Sequence, residues 1–400
     1  MSERFNLDKV YKFLLLSLAF LAPLTVFGAN FFIVLIVLLW LFSGDYAFKF
    51  KQIISSKFLI ASIIFFILHV IGLLWTEDLS WGLHTVHKMW YFLLLLPILY
   101  TIVQKEDIGK YVSFFLLAIT FTEVVSYLVW FEIIPPFKFA TVMSPTPFMS
   151  HVSYNPILAF SIYIVYHEIF LNKNLEKPRF FLYSFFAVTM SINMFITGGR
   201  AGQVMYFAMI SILIFQFFPN QKIKALFAIM LLVPAIFITA YNTSPLFHNR
   251  VSQAVHNTIY FSSSNQNTSV GQRITFAINS WEVIKENPII GIGTGDFPSE
   301  YRKVNMINTP DMPNTTNPHN MYTLILMQLG LVGLASMMSI FYYQIQLSRN
   351  QSNIFLRDAG ITLPLLFIVI MWSDSYLLGH YTTLIFVLFS SFLYKDFEKS

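Results

Sequence analysis

Residues 58–75, FLIASIIFFILHVIGLLW, form a run of eighteen residues that contains no Asp, Glu, Lys or Arg. About 20 apolar residues in a helix are enough to cross the hydrocarbon core of a bilayer, since each residue adds about 1.5 Å. Similar runs recur along nearly the whole 400-residue chain, of which 56% is hydrophobic and only 11% is charged. Soluble globular proteins average about 25% charged residues. The sequence therefore predicts a polytopic membrane protein and excludes a large soluble core.

Twelve apolar runs are predicted to be transmembrane helices, because a helix pairs its backbone polar groups internally in lipid. The predicted spans cover residues 12–28, 29–43, 58–75, 88–104, 111–131, 156–171, 180–197, 201–218, 224–241, 319–343, 359–373 and 379–394. The predicted fold class is all-α, a polytopic helical bundle that forms a single transmembrane domain over residues 1–400. The chain contains no cysteine, which excludes disulfides, thiolate metal sites and cysteine nucleophiles.

The basic residues predict how this bundle is oriented. With the N-terminus in the cytoplasm, 17 of the 25 Lys and Arg residues fall in cytoplasmic segments. Cytoplasmic loops of membrane proteins carry such an excess of positive charge. An even number of spans then places both termini in the cytoplasm. The outer side holds the proline-rich segment 132–155 and the one long loop, 242–318, whose length makes it a candidate for function.

The end of this loop, Asn317-Pro318-His319-Asn320, is an unusually polar start for an apolar helix. Asn is a favoured N-cap and Pro a favoured first helical residue, which places His319 in the first helical turn. The positive end of the helix dipole disfavours imidazolium and so favours a neutral histidine that can accept a proton. A phosphate bound nearby would act in the opposite direction. Taken alone, His319 is better explained as a capping residue at the lipid interface.

Two glycines follow this histidine along the predicted helix over 319–343. Gly330 lies eleven residues after His319, which at about 100° per residue is within about 20° of three full turns. The two residues are therefore predicted to share one face of a continuous helix. Gly330 and Gly333 are predicted to let a neighbouring helix approach closely.

Two arginines on the outer side are candidate anion ligands. Arg200 lies in TGGRAG, a tight turn that contains no acidic residue, and Arg273 opens a helix predicted at about 272–286. This helix is predicted to lie on the membrane, since one of its faces is apolar. The residues of that face are Ile274, Ala277, Ile278, Trp281 and Ile284. Arg200 could instead extend toward the lipid interface, and Arg273 could simply solvate a polar helix face.

Other polar motifs are weaker candidates. The stretch GIGTGDF, 291–297, lacks the Gly-Lys-Ser/Thr of a nucleotide-binding loop and is predicted to be a turn beside the outer leaflet. His84 and His87 could pair on a helix face, but no third metal ligand is near in sequence, so no metal site is predicted. Asp374 and His380 lie in a short outer turn. The basic residues are spread through short loops, so nucleic acid is not an expected partner.

Two stretches resemble the signature region of the O-antigen ligase and polymerase superfamily. They are GQRITFAINSWEVIKENPIIGIGTGDF, residues 271–297, and HNMYTLILMQLGLVGL, residues 319–334. Members of this family show a histidine followed by Asn, Ser or Gln, then nine residues, then Gly-x-x-Gly. His319, Asn320, Gly330 and Gly333 fit that pattern.

The resemblance implies a GT-C-like membrane glycosyltransferase that needs no metal or other cofactor and inverts the configuration of the transferred sugar. The expected donor is a glycan on undecaprenyl diphosphate. In the ligase branch the acceptor is the lipid A-core sugar. The resemblance also implies a Gram-negative inner membrane, contacts with membrane lipids, and an active site on the periplasmic face.

Position in the family motifs implies a role for each candidate residue. His319 would be the general base, and Arg273 and Arg200 would bind the donor diphosphate. The chemistry suits these roles, because the planar guanidinium matches phosphate oxygens and a neutral histidine can take a proton from an attacking hydroxyl. Residues with an implied supporting role are Asn320, Gly330, Gly333 and Lys88.

Two other functions fit parts of this sequence. An O-antigen polymerase would join repeat units on the same lipid carrier, and the family motifs separate it poorly from a ligase. The single long outer loop favours the ligase, although segment 132–155 could be a second, small one. A lipid-linked oligosaccharide transporter would show internal repeats and polar residues at the bilayer midplane, whereas the polar candidates here cluster at the outer face.

Overall fold

The structure is a computed structural model that describes residues 7–261 and 266–397. Over these residues the chain is almost entirely helical, and the β contact found there is an isolated bridge between Thr141 and Ser144. The predicted all-α class is confirmed. The helices are α1 (Leu7–Leu21), α2 (Val26–Phe42), α3 (Tyr46–Ser55), α4 (Lys57–Ile71), α5 (Leu79–Lys88), α6 (Leu96–Ile102), α7 (Ile108–Trp130), α8 (His151–Leu171), α9 (Lys177–Ile196), α10 (Arg200–Phe217), α11 (Lys222–Thr243), α12 (Pro245–Ile259), α13 (Ser269–Glu286), α14 (Phe297–Asn308), α15 (Met321–Arg349), α16 (Ile354–Ile370) and α17 (His380–Leu393).

Each of the twelve predicted spans overlaps a helix, but fewer segments qualify as membrane spans by length and hydropathy. In the part of the chain that the structure describes, seven segments qualify. Helices α2 and α3, which meet at a bend of 116°, form an eighth if the two helices together make one span. The seven are Lys57–Trp75, Leu79–Ile102, Lys105–Trp130, Lys177–Ile196, Arg200–Phe217, Lys222–Thr243 and Met321–Arg349.

The difference has two physical causes. Helices α1, α16 and α17 have only 15, 17 and 14 residues. Helix α8 is longer, but Asn155, Pro156 and His167 lower its hydropathy. The chain is nevertheless a multi-pass helical membrane protein.

The helices pack as two compact units. The first unit contains residues 7–36, 104–252 and 351–366, and the second contains the described residues of 37–103, 253–350 and 367–397. The candidate residues divide between them, since Arg200 belongs to the first unit and Arg273 and His319 belong to the second.

The centre of the first unit is helix α8, which is buried over most of its length and packs closely on α10. A Cβ atom on Gly202 would lie 2.2 Å from the Asn155 Cβ, so only glycine permits this approach. Farther along the same pair, the Tyr163 hydroxyl donates to Gln216 Oε1 at 2.8 Å. Contacts therefore advance in the same direction along both helices, which means that α8 and α10 run parallel with their N-termini together.

The second unit contains α15, which is interrupted at Gly330. This residue has φ 59° and ψ −155°, a backbone conformation that strongly favours glycine. A Cβ atom on Gly330 would lie 2.3 Å from the Ile289 carbonyl carbon. The segment that follows α13 supplies hydrogen-bond partners for backbone groups around the break, as the absence of water in lipid requires. The bonds are Leu331 N to Pro288 O (2.9 Å), Val332 N to Ile289 O (3.1 Å), Ile292 N to Met327 O (2.8 Å) and Gly293 N to Gln328 O (3.0 Å).

The break makes two sequence predictions wrong. Helical periodicity does not run from His319 to Gly330, because the helix starts at Met321 and is interrupted at Gly330. The chain that approaches Gly330 is the non-helical segment 287–293 and not a neighbouring helix. Periodicity could not reveal this, since it reports only on neighbours along one helix.

The GIGTGDF stretch continues from this segment into a second junction. The buried Asp296 carboxylate accepts hydrogen bonds from Thr76 Oγ1 at 2.8 Å, Glu77 N at 2.9 Å and Asp78 N at 2.8 Å. Two of these donors are backbone amides directly before α5, so the carboxylate ties the start of α14 to the start of α5. GIGTGDF is therefore a packed turn in which the Asp296 carboxylate accepts hydrogen bonds from residues of the same protein.

Candidate active site

The long segment 242–318 contains the end of α11 and helices α12, α13 and α14; its residues 262–265 lie outside the described part. Helix α13 corresponds to the helix predicted at 272–286. It begins at Ser269. The preceding residue, Thr268, is the N-cap, and its Oγ1 accepts a hydrogen bond from Gly271 N at 3.1 Å.

Helix α13 has one buried face and one largely exposed apolar face. The buried face packs Phe276 and Val283 against Tyr301 of α14 in the core of the second unit. On the predicted apolar face, Ile278 and Trp281 remain 52% and 54% exposed. Such an unpacked apolar face is what a helix lying on a membrane presents. The prediction is wrong for Ile284, which is buried with Phe276 and Val283 because α14 packs on that side of the helix.

His319 lies outside the helix that it was predicted to enter. Helix α15 begins at Met321, and its N-cap is Asn320, whose Oδ1 accepts from Thr323 N at 3.1 Å. His319 has φ 51°, in the left-handed region that costs energy for a residue with a Cβ. The prediction that Asn317 caps the helix and Pro318 opens it is therefore wrong.

The side chain of Asn317 holds the chain in this conformation. Its Oδ1 accepts from His319 N at 3.0 Å and from the Ser375 hydroxyl at 2.8 Å. Its Nδ2 donates to Asp374 Oδ1 at 3.0 Å. Asn317 thus joins the backbone of His319 to the turn between α16 and α17, which explains why the histidine lies in so polar a setting.

Asp374 is the partner of the His319 ring. His319 Nδ1 lies 3.2 Å from Asp374 Oδ1, within ion-pair distance but without a hydrogen bond between them. Burial raises the pKa of the Asp374 carboxyl, but His319, the Ser375 amide and Asn317 together lower it below its ordinary value. Asp374 is therefore a carboxylate at neutral pH. The sequence marked Asp374 only as an acidic residue in a short outer turn, because nothing local to it indicates its partner.

Arg273 approaches the same turn from α13. Phe276, one helical turn after Arg273, stacks on the His319 ring with centroids 6.3 Å apart and planes inclined by 22°. Burial raises the pKa of the Tyr376 hydroxyl, and the nearby charge of Arg273 acts in the opposite direction. Arg273 Nε is buried and has no hydrogen-bond partner among the described residues. The second unit therefore brings Arg273, His319 and the Asp374 turn together, with one buried donor still to be satisfied.

Arg200 is the first residue of α10, in the first unit. Two residues that sequence reasoning did not select lie near it. They are His151, the first residue of α8, and Arg250 of α12. Burial first, and then the charges of Arg250 and Arg200, lower the pKa of His151. The signal that could have found them is their placement just before or after spans on the predicted outer side.

Lys88 and Gly333 are the remaining candidates. Lys88 is the exposed last residue of α5. A Cβ atom on Gly333 would lie 2.3 Å from Leu329 Cβ and 3.2 Å from Ile325 Cγ2, both in the same helix. The close contact at Gly333 thus comes from α15 itself and not from a neighbouring helix.

Part of the chain is similar to known proteins. Residues 185–338 match the family model of the O-antigen ligases. The chain is also 29% identical over 218 residues to an uncharacterized protein of Haemophilus influenzae (strain ATCC 51907 / DSM 11121 / KW20 / Rd). That match covers 50% of this chain and 52% of the relative, so the chain spans about half the length of the curated relative it matches. The matched stretch includes Arg200, Arg273 and His319, so these three candidate residues lie in the region that is similar to the O-antigen ligases.

Proposed function

We propose that this protein is an O-antigen ligase, a membrane glycosyltransferase that transfers a glycan from undecaprenyl diphosphate to the lipid A-core sugar. The observation that carries the proposal is the pairing of the signature histidine, His319, with the carboxylate of Asp374 at 3.2 Å. Support also comes from the family match over 185–338. The proposed site faces the periplasm, in the inner membrane of a Gram-negative bacterium, with both termini in the cytoplasm.

In this proposal the His319–Asp374 pair acts as the general base. Asp374 would hold the proton on Nδ1, so that Nε2 keeps the lone pair that accepts a proton. As an acceptor hydroxyl attacks the anomeric carbon, its proton would pass to Nε2. The imidazolium so formed would be stabilised by the Asp374 carboxylate. Asn317 holds His319 through the backbone amide, which leaves both ring nitrogens available for this chemistry.

The leaving group requires positive charge. In the transfer, a bond forms between the acceptor oxygen and the anomeric carbon on the face opposite the leaving group, which inverts the sugar. The bond from that carbon to the phosphate oxygen breaks, and undecaprenyl diphosphate leaves with the electron pair. Arg273, with its unsatisfied Nε, would bind the phosphate oxygens, a role that suits the guanidinium fork and needs no metal ion. Arg200 is proposed for the same role from its place in the TGGRAG motif.

The close rival is an O-antigen polymerase, which would use the same donor and the same residues. The two differ in the acceptor, which is a second carrier-linked glycan for a polymerase and a lipid A-core sugar for a ligase. Purified full-length protein would be given the carrier-linked glycan with each acceptor in turn, in the presence of chelator. Glycan appearing only on lipid A-core supports the ligase. Elongation of the carrier-linked glycan instead would overturn it.

A further inference from the structure

We infer that Arg250 and His151 belong with Arg200 to one diphosphate-binding site, built where α8 and α10 begin. The identity of the ligand as a lipid diphosphate rests on the proposed function. Arg250 and His151 lie outside the signature motifs, and all three residues belong to the first unit.

The site lies at two helix N-termini that meet. Helix α8 begins at His151 and α10 begins at Arg200, and the helices run parallel from there. A Cβ atom on Gly199 would lie only 2.7 Å from the His151 carbonyl oxygen, so the two ends are in contact. Each end carries the positive end of a helix dipole. Two such ends side by side attract an anion more strongly than one.

A buried amide at the same helix ends lacks a partner. Asn155, in the first turns of α8, is 0% exposed, and its Oδ1 has no hydrogen-bond partner among the described residues. Its Cγ lies 2.7 Å from the position that a Cβ on Gly199 would take, so the amide is directed at the start of α10. An unpaired buried acceptor is unfavourable. A hydroxyl of a glycosyl diphosphate bound at these helix ends would satisfy it.

Helix α12 places Arg250 near the start of α10. The Ser244 hydroxyl, just before α12, donates to the Phe195 carbonyl oxygen at 2.8 Å, which ties the start of α12 to the end of α9. Phe247 is buried against the Phe195 ring, with centroids 5.0 Å apart. Arg250 Nη2 then lies 3.6 Å from the position that a Cβ on Gly198 would take. The guanidinium of Arg250 therefore lies beside Gly198, two residues before Arg200.

The charge of Arg250 is not balanced by the protein around it. Arg250 is half-buried, and across residues 7–261 and 266–397 its side chain makes no hydrogen bond and no ion pair. A partly desolvated guanidinium without an anion is unfavourable, because its charge and its donors are unsatisfied. Burial and both arginines lower the pKa of His151, so it can donate one hydrogen bond without adding charge. A diphosphate supplies both the missing charge and several acceptor oxygens.

A large apolar cavity adjoins the same turns. It has a volume of about 830 Å³, and its lining includes Met143, Ile196 and Ser244. These residues lie next in sequence to Ser144, Thr197 and the start of α12, which surround the helix ends. An anion bound at the helix ends could therefore carry an apolar chain. This favours the headgroup of a lipid over a free diphosphate.

Binding by the purified full-length protein would test the inference. The probes would be farnesyl diphosphate, inorganic pyrophosphate and farnesol, and the readout would be the Kd from calorimetry. We expect Arg250→Ala to weaken farnesyl diphosphate binding at least tenfold, and Arg250→Lys to weaken it less, because lysine keeps the charge but not the fork. Arg302→Ala removes an exposed arginine of α14 and is the matched control, expected to bind within twofold of wild type.

The source of the diphosphate and the role of Arg250 are decided separately by these measurements. Tighter binding of farnesyl diphosphate than of pyrophosphate supports a lipid headgroup, and equal binding supports a diphosphate site indifferent to the lipid. Wild-type affinity in Arg250→Ala, or no binding of either diphosphate by the wild-type protein, would overturn the inference. Failure of the wild-type protein to transfer any glycan would instead overturn the proposed function, since the binding measurements do not depend on turnover. Size-exclusion chromatography would show whether Arg250→Ala or Arg250→Lys is misfolded. If Arg250→Ala is misfolded, the affinity of Arg250→Lys is compared with that of the wild-type protein instead.

Discussion

His319 Nδ1 lies 3.2 Å from Asp374 Oδ1, and Asn317 holds both residues by separate atoms of one amide group. The contact brings the turn after α16 to the start of α15. His319 Nε2 makes no hydrogen bond among the described residues, and the side chain is 41% exposed. A base that accepts a proton from a substrate needs one nitrogen that is held and one that is accessible.

His319 is predicted to act as the base. His319→Gln should lower the turnover of carrier-linked glycan by about 10²-fold or more, because an amide can hydrogen-bond but cannot take a proton at neutral pH. Donor binding should remain, since the arginines hold the diphosphate. Turnover and donor Kd would both be measured on purified protein. Near-normal turnover would mean that His319 only positions the acceptor.

Asp374 is predicted to make stability depend on pH. Its pKa in the folded protein is below the ordinary value of about 3.9, so its full stabilising contribution is present above that pH. The contribution is lost as the pH falls through the folded pKa. Asp374→Asn should therefore lower the unfolding temperature at pH 5, and the difference from wild type should shrink below about pH 4. A difference that grows as the pH falls below about 4 would contradict the assigned ionisation.

Asp374→Asn should also reduce turnover, because a neutral amide stabilises an imidazolium less than a carboxylate does. The matched control is Asp311→Asn, an exposed carboxyl in the same long segment. It should leave both turnover and the pH profile of unfolding unchanged.

Arg273 is predicted to be essential for transfer. Arg273→Ala should abolish transfer or nearly so, since the diphosphate would lose a charged ligand in a partly desolvated site. Arg273→Lys should restore activity only in part, because lysine lacks the bidentate fork. The same pair of changes at Arg200 should give parallel losses. Full activity of Arg200→Ala at normal protein levels would leave Arg200 as an interface residue.

The break in α15 is predicted to require glycine. Gly330→Ala should destabilise the protein by about 2 kcal/mol or more, since φ 59° is strained for alanine and its Cβ would collide with Ile289. Gly109→Ala is the control: it lies in the first turn of α7 with open space around its Cβ position, and it should be neutral or stabilising. Thermal unfolding in detergent would compare the two. Equal unfolding temperatures would show that the break tolerates a side chain.

Segment 242–318 is predicted to face the periplasm, from the distribution of basic residues. Asp311→Cys introduces a single thiol at an exposed position of this cysteine-free chain. A membrane-impermeant thiol reagent should label it in cells whose outer membrane alone is permeabilised. Labelling that appears only after the inner membrane is lysed would reverse the orientation.

Composition and local pattern were enough to predict the membrane class, the positions of the helices and the location of α13. These features follow from hydropathy and from periodicity over one helix, which depend on residues close together in the chain. The sequence also singled out His319, Arg273 and Arg200, because each lies in a short motif whose residues are close together in the chain. The number of spans was harder to predict, since α17 has only 14 residues and α8 carries several polar residues.

The assembly of the site depends instead on contacts between distant parts of the chain. Helix α15 starts at Met321 while Asn317 bonds to Ser375 and Asp374, in a turn far along the sequence. Gly330 is a break and not a packing face because the segment after α13 supplies backbone partners there. Asp374 carried no local signal of its partner, and the signal for Arg250 and His151 was only their placement beside predicted spans. Each acquires its importance from neighbours that only the folded chain places within a few ångströms, where charge and hydrogen bonding act most strongly.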